Sequence, residues 1–130
     1  MESKIKVLLV DDEEIVGKRL KIALEKDGYA IEVYQSGQEA IDRLKKELFD
    51  IVVADIRMDE VNGLDVLQAV QENSPRSKTI MITGYATVEL AREAQAKGAF
   101  GFIAKPFRPK ELRKLLEKAT RELKKSSEAE

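Results

Sequence analysis

The chain has 130 residues, enough for one domain, and its 23 basic residues almost balance 24 acidic ones, for a net charge of −1. Cysteine, histidine and tryptophan are absent, which excludes disulfides and every metal site or nucleophile built on cysteine or histidine. The positive and negative charges nearly balance, no apolar stretch is long enough to span a membrane, and the N-terminus does not resemble a signal peptide. We therefore expect a cytoplasmic protein that contacts neither nucleic acid nor membrane.

Short apolar runs alternate with helical patterns five times along the chain. The runs are rich in Val, Ile and Leu, which is typical of strands buried on both faces of a sheet. They lie near residues 5–10, 30–34, 51–54, 79–83 and 100–104. This alternation predicts an α/β fold of the (βα)5 type, a doubly wound five-stranded parallel sheet with helices on both faces. We expect one domain over residues 1–125 and a polar tail, or the start of a linker, at 126–130.

Five amphipathic patterns between and after these runs predict five helices. Ser36 and Glu39 have the spacing of a capping box at the start of the second helix. Gly28 and Gly98 follow helical patterns and suit the left-handed residue that ends a helix. The apolar positions that define the helices are Val16, Leu20, Ala23 and Leu24; Ala40, Ile41 and Leu44; Leu64, Leu67 and Val70; Val88, Ala91 and Ala94; and Leu112, Leu115, Leu116, Ala119 and Leu123.

Polar residues stand at the ends of four of these runs. They are Asp11 and Asp12, Asp55, Thr83 and Lys105. In an open α/β sheet, ligands bind beyond the carboxyl ends of the strands, where these residues would meet. Three clustered carboxylates repel one another unless a cation or protons intervene, and Mg²⁺ prefers oxygen ligands. The placement predicts a divalent-cation site with a nucleophilic carboxylate and a fixed ammonium, suited to phosphoryl groups.

Each of these residues also has an ordinary structural explanation. Acidic residues such as Asp11 and Asp12 are favoured at a helix start whatever their function. Asp55 is also suited to initiating a turn, and Thr83 and Lys105 suit strand ends. In the functional interpretation, Asp55 forms an aspartyl phosphate, Lys105 pairs with it or binds a phosphoryl oxygen, and the Thr83 hydroxyl donates to one. Only their joint placement favours that interpretation.

With these residues placed, the chain resembles the receiver domains of two-component response regulators over about residues 4–125. The resemblance implies a flavodoxin-like fold and a signalling switch rather than a conventional enzyme, one that catalyses only its own phosphoryl transfer and dephosphorylation. Residues 83–87 and 98–100 are similar to receivers of enhancer-binding transcription activators. The motifs, in order, are Val10-Asp11-Asp12, Ala54-Asp55-Ile56-Arg57-Met58, Asn62-Gly63, Ile82-Thr83-Gly84-Tyr85 and Ala104-Lys105-Pro106-Phe107.

The resemblance also implies a phosphoacceptor and a metal site. Asp55 would accept a phosphoryl group from a sensor histidine kinase or a phosphotransfer protein, with Mg²⁺ or Mn²⁺ as cofactor. Asp12 and Asp55 would bind the metal directly, with the backbone carbonyl of Arg57 as a third protein ligand. Asp11 would act mainly through a coordinated water.

The same resemblance implies how a signal leaves the site. Thr83 and Lys105 would bind the phosphoryl oxygens, and the Lys105–Pro106 peptide would be cis. Thr83 would move inward, and Phe102, at the position of a switch aromatic, would rotate into the vacated space. The surface of the fourth helix, fifth strand and fifth helix would change, and it would control an output domain or an effector protein or support a homodimer.

Three positions depart from the family pattern. Asp59 stands where proline usually follows Met58, and we expect it to alter metal affinity or the rate of phosphorylation. Phe102 lacks the hydroxyl of the common tyrosine, so switching would depend on packing alone. Gly101 replaces a common aspartate and makes the start of that strand more pliable.

Other functions fit the sequence less well. A phosphatase with an aspartyl-phosphate intermediate needs a second aspartate two residues after the nucleophile, where Arg57 stands. A nucleotide or flavin binder needs a glycine-rich turn after the first strand, where Asp11 and Asp12 stand. The alternative that we keep is a phosphorylation-independent interaction module, a pseudo-receiver, although the set of acidic, threonine and lysine residues is complete.

Overall fold

The computed structural model describes residues 4–58, 60–84 and 88–129, with side chains as far as residue 125. Within these ranges five strands alternate with five helices, so the predicted (βα)5 order is confirmed. The strands β1–β5 are Lys6–Val10, Ala30–Tyr34, Ile51–Asp55, Lys78–Thr83 and Gly101–Ala104. The helices α1–α5 are Glu14–Lys26, Gly37–Leu44, Gly63–Asn73, Val88–Ala96 and Pro109–Ala129.

The strands form one parallel sheet in the order β2-β1-β3-β4-β5. The chain first crosses to one edge and then reverses, which is the flavodoxin-like arrangement that was predicted. Val10 on β1 is opposite Ala54 on β3, and Thr83 on β4 is opposite Ala104 on β5. This register brings the residues that follow these positions to the same edge of the sheet.

Helices cover both faces of the sheet, and each face has its own apolar core. On one face, Leu8 and Val52 pack with residues of α2, α3 and α4. On the other face, Leu9 and Val53 pack with residues of α1 and α5. Every residue of β3 is buried, because this strand lies at the centre of the sheet between the two cores. A continuous apolar strand is the sequence signature of such a position.

The residues at the ends of the helices match the prediction in some cases and differ from it in others. The Ser36 side chain accepts the Glu39 N–H at 3.2 Å, but no reciprocal bond from the Glu39 side chain forms, so the predicted capping box is only half present. A complete box forms instead between Asn62 and Asp65 at the start of α3. Gly28, with φ +96°, ends its helix as predicted, and Gly98 does the same.

Helix α4 exists as predicted, but one of its expected core positions is wrong. Val88 is 62% exposed, whereas Ala94 is fully buried and Leu90 packs against the core. Leu90 and Ala94 share one side of the helix, and Val88 precedes Leu90 by two positions, about 200° around the axis. Leu90 and Ala94 therefore determine which side of α4 faces the sheet, and Val88 faces away from it.

Helix α5 continues to Ala129, so the backbone of the stretch expected to be a tail is helical for most of its length. The boundary of the domain near residue 125 stays a prediction. Among the described residues, no helix is both long enough and apolar enough to cross a membrane. Asp59 and residues 85–87, which the sequence analysis singled out, lie outside the described residues.

Candidate functional site

The ends of three strands place acidic and basic side chains together at the carboxyl edge of the sheet. Asp11 follows β1 and its N–H donates to the carbonyl of Tyr34 at 3.0 Å, which extends the pairing with β2 by one residue. Asp55 is the last residue of β3, next to β1 in the sheet. Lys105 follows β5, and its N–H donates to the carbonyl of Thr83 at 2.8 Å. Main-chain pairing thus fixes the point from which each of these side chains leaves the backbone.

Four carboxylates lie close together at this edge. Asp11 is fully buried and Asp55 nearly so, whereas Asp12 and Glu13 are exposed. One carboxylate oxygen from each of the four lies within 4.8 Å of the others. Two of the carboxylates are also held by the backbone: the Glu13 N–H donates to Asp11 Oδ1 at 2.9 Å, and the Arg57 N–H donates to Asp55 Oδ1 at 3.0 Å.

The ammonium group of Lys105 is surrounded by three of these carboxylates. Its Nζ donates to Asp55 Oδ2 and to Glu13 Oε1, each at 2.8 Å. It also lies 2.8 Å from Asp11 Oδ2, in an ion pair whose direction does not suit a hydrogen bond. The Lys105 side chain is only 16% exposed, so these contacts form largely out of water. Three negative charges are thus balanced locally by one positive charge.

Burial and charge compete in setting the pKa values of this cluster. Burial raises the pKa of the Asp11 carboxyl above its ordinary value, and the contacts with Lys105 and the Glu13 N–H only partly oppose it. For the Lys105 ammonium, burial favours a lower pKa, but its contacts with Asp11, Asp55 and Glu13 outweigh burial and raise the pKa. Lys105 therefore stays protonated at neutral pH and provides a fixed positive charge.

The oxygen atoms at this edge suit a divalent cation. Asp11 Oδ2 is buried, and it has no hydrogen-bond partner although it forms an ion pair with Lys105. The neighbouring ligand atoms are all carboxylate oxygens, the donors that hard cations prefer. The acidic cluster can therefore hold a metal ion, and the excess of negative charge described above favours one.

The loop after β3 returns closely over the end of that strand. The Gly63 N–H donates to the carbonyl of Ile56 at 3.0 Å, and Asn62 caps α3 through the N–H groups of Leu64 and Asp65. A Cβ atom at Gly63 would lie 2.4 Å from the carbonyl oxygen of the preceding strand's last residue, Asp55. Only glycine permits this approach, which explains why the Asn62-Gly63 motif matters to the site.

The predicted switch residues lie on the neighbouring strands β4 and β5. Thr83 is fully buried at the end of β4. Phe102 is opposite Met81 in the register of β4 and β5, is half-buried, and packs against the core on the side of α2, α3 and α4. A Cβ atom at Gly101 would lie 3.3 Å from the Leu115 side chain, so the glycine allows α5 to pack closely on β5. The switching roles of Thr83 and Phe102 stay predictions.

Sequence reasoning placed Asp11, Asp12, Asp55 and Lys105 at one edge, and the structure brings all four together. It missed Glu13, whose carboxylate contacts Lys105 from 92 positions away in the chain. The only signal was that Glu13 directly follows the aspartate pair. The predicted cis peptide between Lys105 and Pro106 is present.

Comparisons with known proteins show similarity over most of the chain. The family model described as the response regulator receiver domain matches residues 7–117. The alginate biosynthesis transcriptional regulatory protein AlgB of Pseudomonas aeruginosa is 33% identical over 112 residues, which are 86% of this chain and 25% of AlgB. The chain spans about a quarter of the length of the first curated relatives that it matches.

Solved structures show the same fold. A CheY-like response regulator receiver domain protein from Methanospirillum hungatei superposes with a TM-score of 0.86 at 30% identity, over 98% of this chain and 100% of that chain. A response regulator from Burkholderia pseudomallei, solved with a phosphorylated aspartic acid, a calcium ion and citrate, gives a TM-score of 0.82 at 26% identity. That match covers 96% of this chain and 73% of the other.

Proposed function

This chain belongs to the response regulator receiver domain family, as its sequence predicts, and we propose that it is a phosphorylation-dependent signalling switch with Asp55 as the phosphoacceptor. Receiver domains of response regulators are signalling modules rather than conventional enzymes. The observation that supports the proposal is the convergence of Asp55, Lys105 and the Asp11-Asp12 pair at one edge of the sheet. A nucleophile, a fixed cation and metal-binding oxygens are the groups that this chemistry requires.

The phosphoryl group is transferred to a carboxylate oxygen of Asp55. This oxygen forms a bond to phosphorus while the bond between phosphorus and the nitrogen of a phosphohistidine breaks, and the leaving imidazole takes up a proton. The Arg57 N–H and the Lys105 ammonium hold the two oxygens of Asp55, so the carboxylate is oriented before the donor arrives. Lys105 also stabilises the negative charge on the phosphoryl oxygens.

The acidic cluster holds Mg²⁺, or Mn²⁺, in this proposal. Asp12, Asp55 and the backbone carbonyl of Arg57 would hold the ion, and Asp11 would act through a coordinated water. When bound, the cation neutralises charge on the transferring phosphoryl group and aligns it. The phosphorylated aspartate and bound calcium ion of the Burkholderia protein support this assignment by similarity.

Phosphorylation changes the surface formed by α4, β5 and α5. The added charge and acceptor oxygens attract the Thr83 hydroxyl, and its inward movement makes room for Phe102 to rotate. Thr83 and Phe102 lie on neighbouring strands, which supports direct coupling between them. The changed surface controls an output domain or an effector protein, or a homodimer that forms through it.

We propose a sensor histidine kinase or a phosphotransfer protein as the phosphoryl donor and the cytoplasm as the location. AlgB is a transcriptional regulatory protein and is about four times as long as the segment that matches this chain. These observations support an output that lies outside this domain. We also propose that the domain slowly removes its own phosphoryl group by hydrolysis and that it contacts neither nucleic acid nor membrane itself.

Incubation with acetyl phosphate and Mg²⁺, followed by intact-mass measurement, tests the function. The wild-type domain should gain one phosphoryl group, with acetate as the leaving group, and Asp55→Asn should gain none. Labelling of Asp55→Asn would show that the phosphoacceptor is another residue. A wild-type domain that binds neither the phosphoryl group nor beryllium fluoride with Mg²⁺ would support the pseudo-receiver alternative instead.

A further inference from the structure

We propose that Glu13 is a positioning residue that competes with the incoming phosphoryl group for Lys105 and thereby slows the loading of Asp55. This inference rests on the proposed function, because it assumes that Asp55 is phosphorylated. Glu13 acts through Lys105 and not on the reacting atoms. It is therefore a residue that sets the rate of the reaction rather than one that makes the reaction possible.

Three carboxylate oxygens already surround the Lys105 ammonium group: Asp55 and Glu13 accept hydrogen bonds from it, and Asp11 forms an ion pair with it. An ammonium group has three N–H bonds, and the Lys105 Nζ has three carboxylate oxygens at 2.8 Å. A phosphoryl oxygen at a similar distance from the ammonium would approach these three negatively charged oxygens closely, so it competes with them and favours the departure of one. The identity of the contact that is lost decides what the exchange costs.

Glu13 is the partner that can leave at the least cost. Asp11 and Asp55 are held by backbone N–H groups and their side chains are 0% and 6% exposed. The Glu13 side chain is 63% exposed and makes no capping bond to α1, although Glu13 is the N-cap residue of that helix. Its carboxylate can turn into water and recover solvation that the two aspartates cannot recover.

A phosphoryl donor such as acetyl phosphate is itself an anion. To contact Lys105, it must displace the Glu13 carboxylate, and it must also approach that carboxylate against charge repulsion. Exposed ion pairs have small free energies, which correspond to changes of about two- to fivefold in an equilibrium or rate constant. We therefore expect removal of the Glu13 charge to speed loading by about two- to fivefold. The affinity for beryllium fluoride should rise by a similar factor.

The neighbouring residue provides a matched control. Glu14 is exposed, carries the same charge and pairs with Lys18 at 2.9 Å instead of with Lys105. Glu13→Gln and Glu14→Gln thus change the net charge equally at adjacent positions. At one ionic strength, the initial rate of phosphorylation by acetyl phosphate and the affinity for beryllium fluoride with Mg²⁺ should rise for Glu13→Gln and stay near wild type for Glu14→Gln. Glu13→Ala should change both quantities in the same direction as Glu13→Gln.

Two results would overturn the inference. If both glutamine variants speed loading equally, the effect is one of general charge and Glu13 has no special contact. If Glu13→Gln slows loading and weakens binding of Mg²⁺ alone in calorimetry, Glu13 is a metal ligand instead. Failure of the wild-type domain to load would instead refute the proposed function. Thermal unfolding of each variant checks that the comparison is made between folded proteins.

Discussion

Replacing Gly63 by alanine tests whether the loop after β3 holds Asp55 in place. A Cβ atom at Gly63 would lie 2.4 Å from the carbonyl oxygen of Asp55 and 2.7 Å from the Cα of Ile56. Both are backbone atoms, so rotation of a side chain cannot relieve the overlap. The chain must move by about 1 Å to reach ordinary contact distances, and the part that moves includes the end of β3 from which the Asp55 carboxylate extends.

Two magnitudes follow from this geometry. Overpacking of this kind lowers the free energy of unfolding by about 1–3 kcal/mol. A displacement of about 1 Å at a reacting group can slow the reaction by about a hundredfold. We therefore expect Gly63→Ala to remain folded while its initial rate of phosphorylation falls by about 10- to 100-fold.

The comparison requires a variant with a similar loss of stability far from the site. Val7 is fully buried near the start of β1, and Val7→Ala should cost about 1–3 kcal/mol. Urea unfolding gives the stability of each variant, and loading by acetyl phosphate is measured at a temperature where both are folded. If Gly63→Ala loads as fast as Val7→Ala, the close approach of the loop does not position Asp55 and the reasoning fails.

In metal-free buffer, Lys105→Met should lower the free energy of unfolding by about 3 kcal/mol, because the substitution leaves the buried Asp11 and Asp55 without their common counter-ion. Added Mg²⁺ should raise the melting temperature of this variant more than that of wild type, and an equal rise would contradict the charge balance proposed for the site. The Arg43 guanidinium lowers the pKa of the Glu32 carboxyl to about 2, so this pair stabilises the fold above pH 4.5 and loses its effect as the pH falls toward 2. Because the Glu32 side chain is 36% exposed, we expect the pair to contribute only about 1 kcal/mol to the free energy of unfolding. The measurement compares the unfolding free energies of wild type and Glu32→Gln, first at pH 6 and then at pH 2.5. A difference that does not change with pH would refute this attribution.

The strands and the strand-end residues could be predicted because burial on both faces leaves a strong pattern in the sequence. The run before Asp55 is entirely apolar, and the structure buries all of it. In the sheet, β1 and β3 are neighbours, and this pairing places Asp11 and Asp55 side by side. Local signals of this kind are independent of how distant segments meet.

The remaining features depend on three-dimensional contacts that a single sequence does not encode locally. The contact between Glu13 and Lys105 joins residues 92 positions apart, so no local spacing indicates it. Val88 has the spacing of a core residue, but the direction in which α4 faces the sheet is decided by Leu90 and Ala94. The complete capping box at Asn62 uses aspartate at the position where the common motif has glutamate or glutamine.

The central position of β3 also has a consequence for amide hydrogen exchange. All of β3 is buried between β1 and β4, so its amides should exchange only when the whole domain unfolds. The edge strand β5 has four residues and is partly buried, so its amides should exchange through smaller local openings. The proposed phosphoacceptor Asp55 is thus expected in the most protected part of the sheet, and Phe102 in a strand that should open separately. Hydrogen exchange of the β5 amides can therefore report a local effect of a chemical change at Asp55, whereas exchange of the β3 amides reports its effect on global stability.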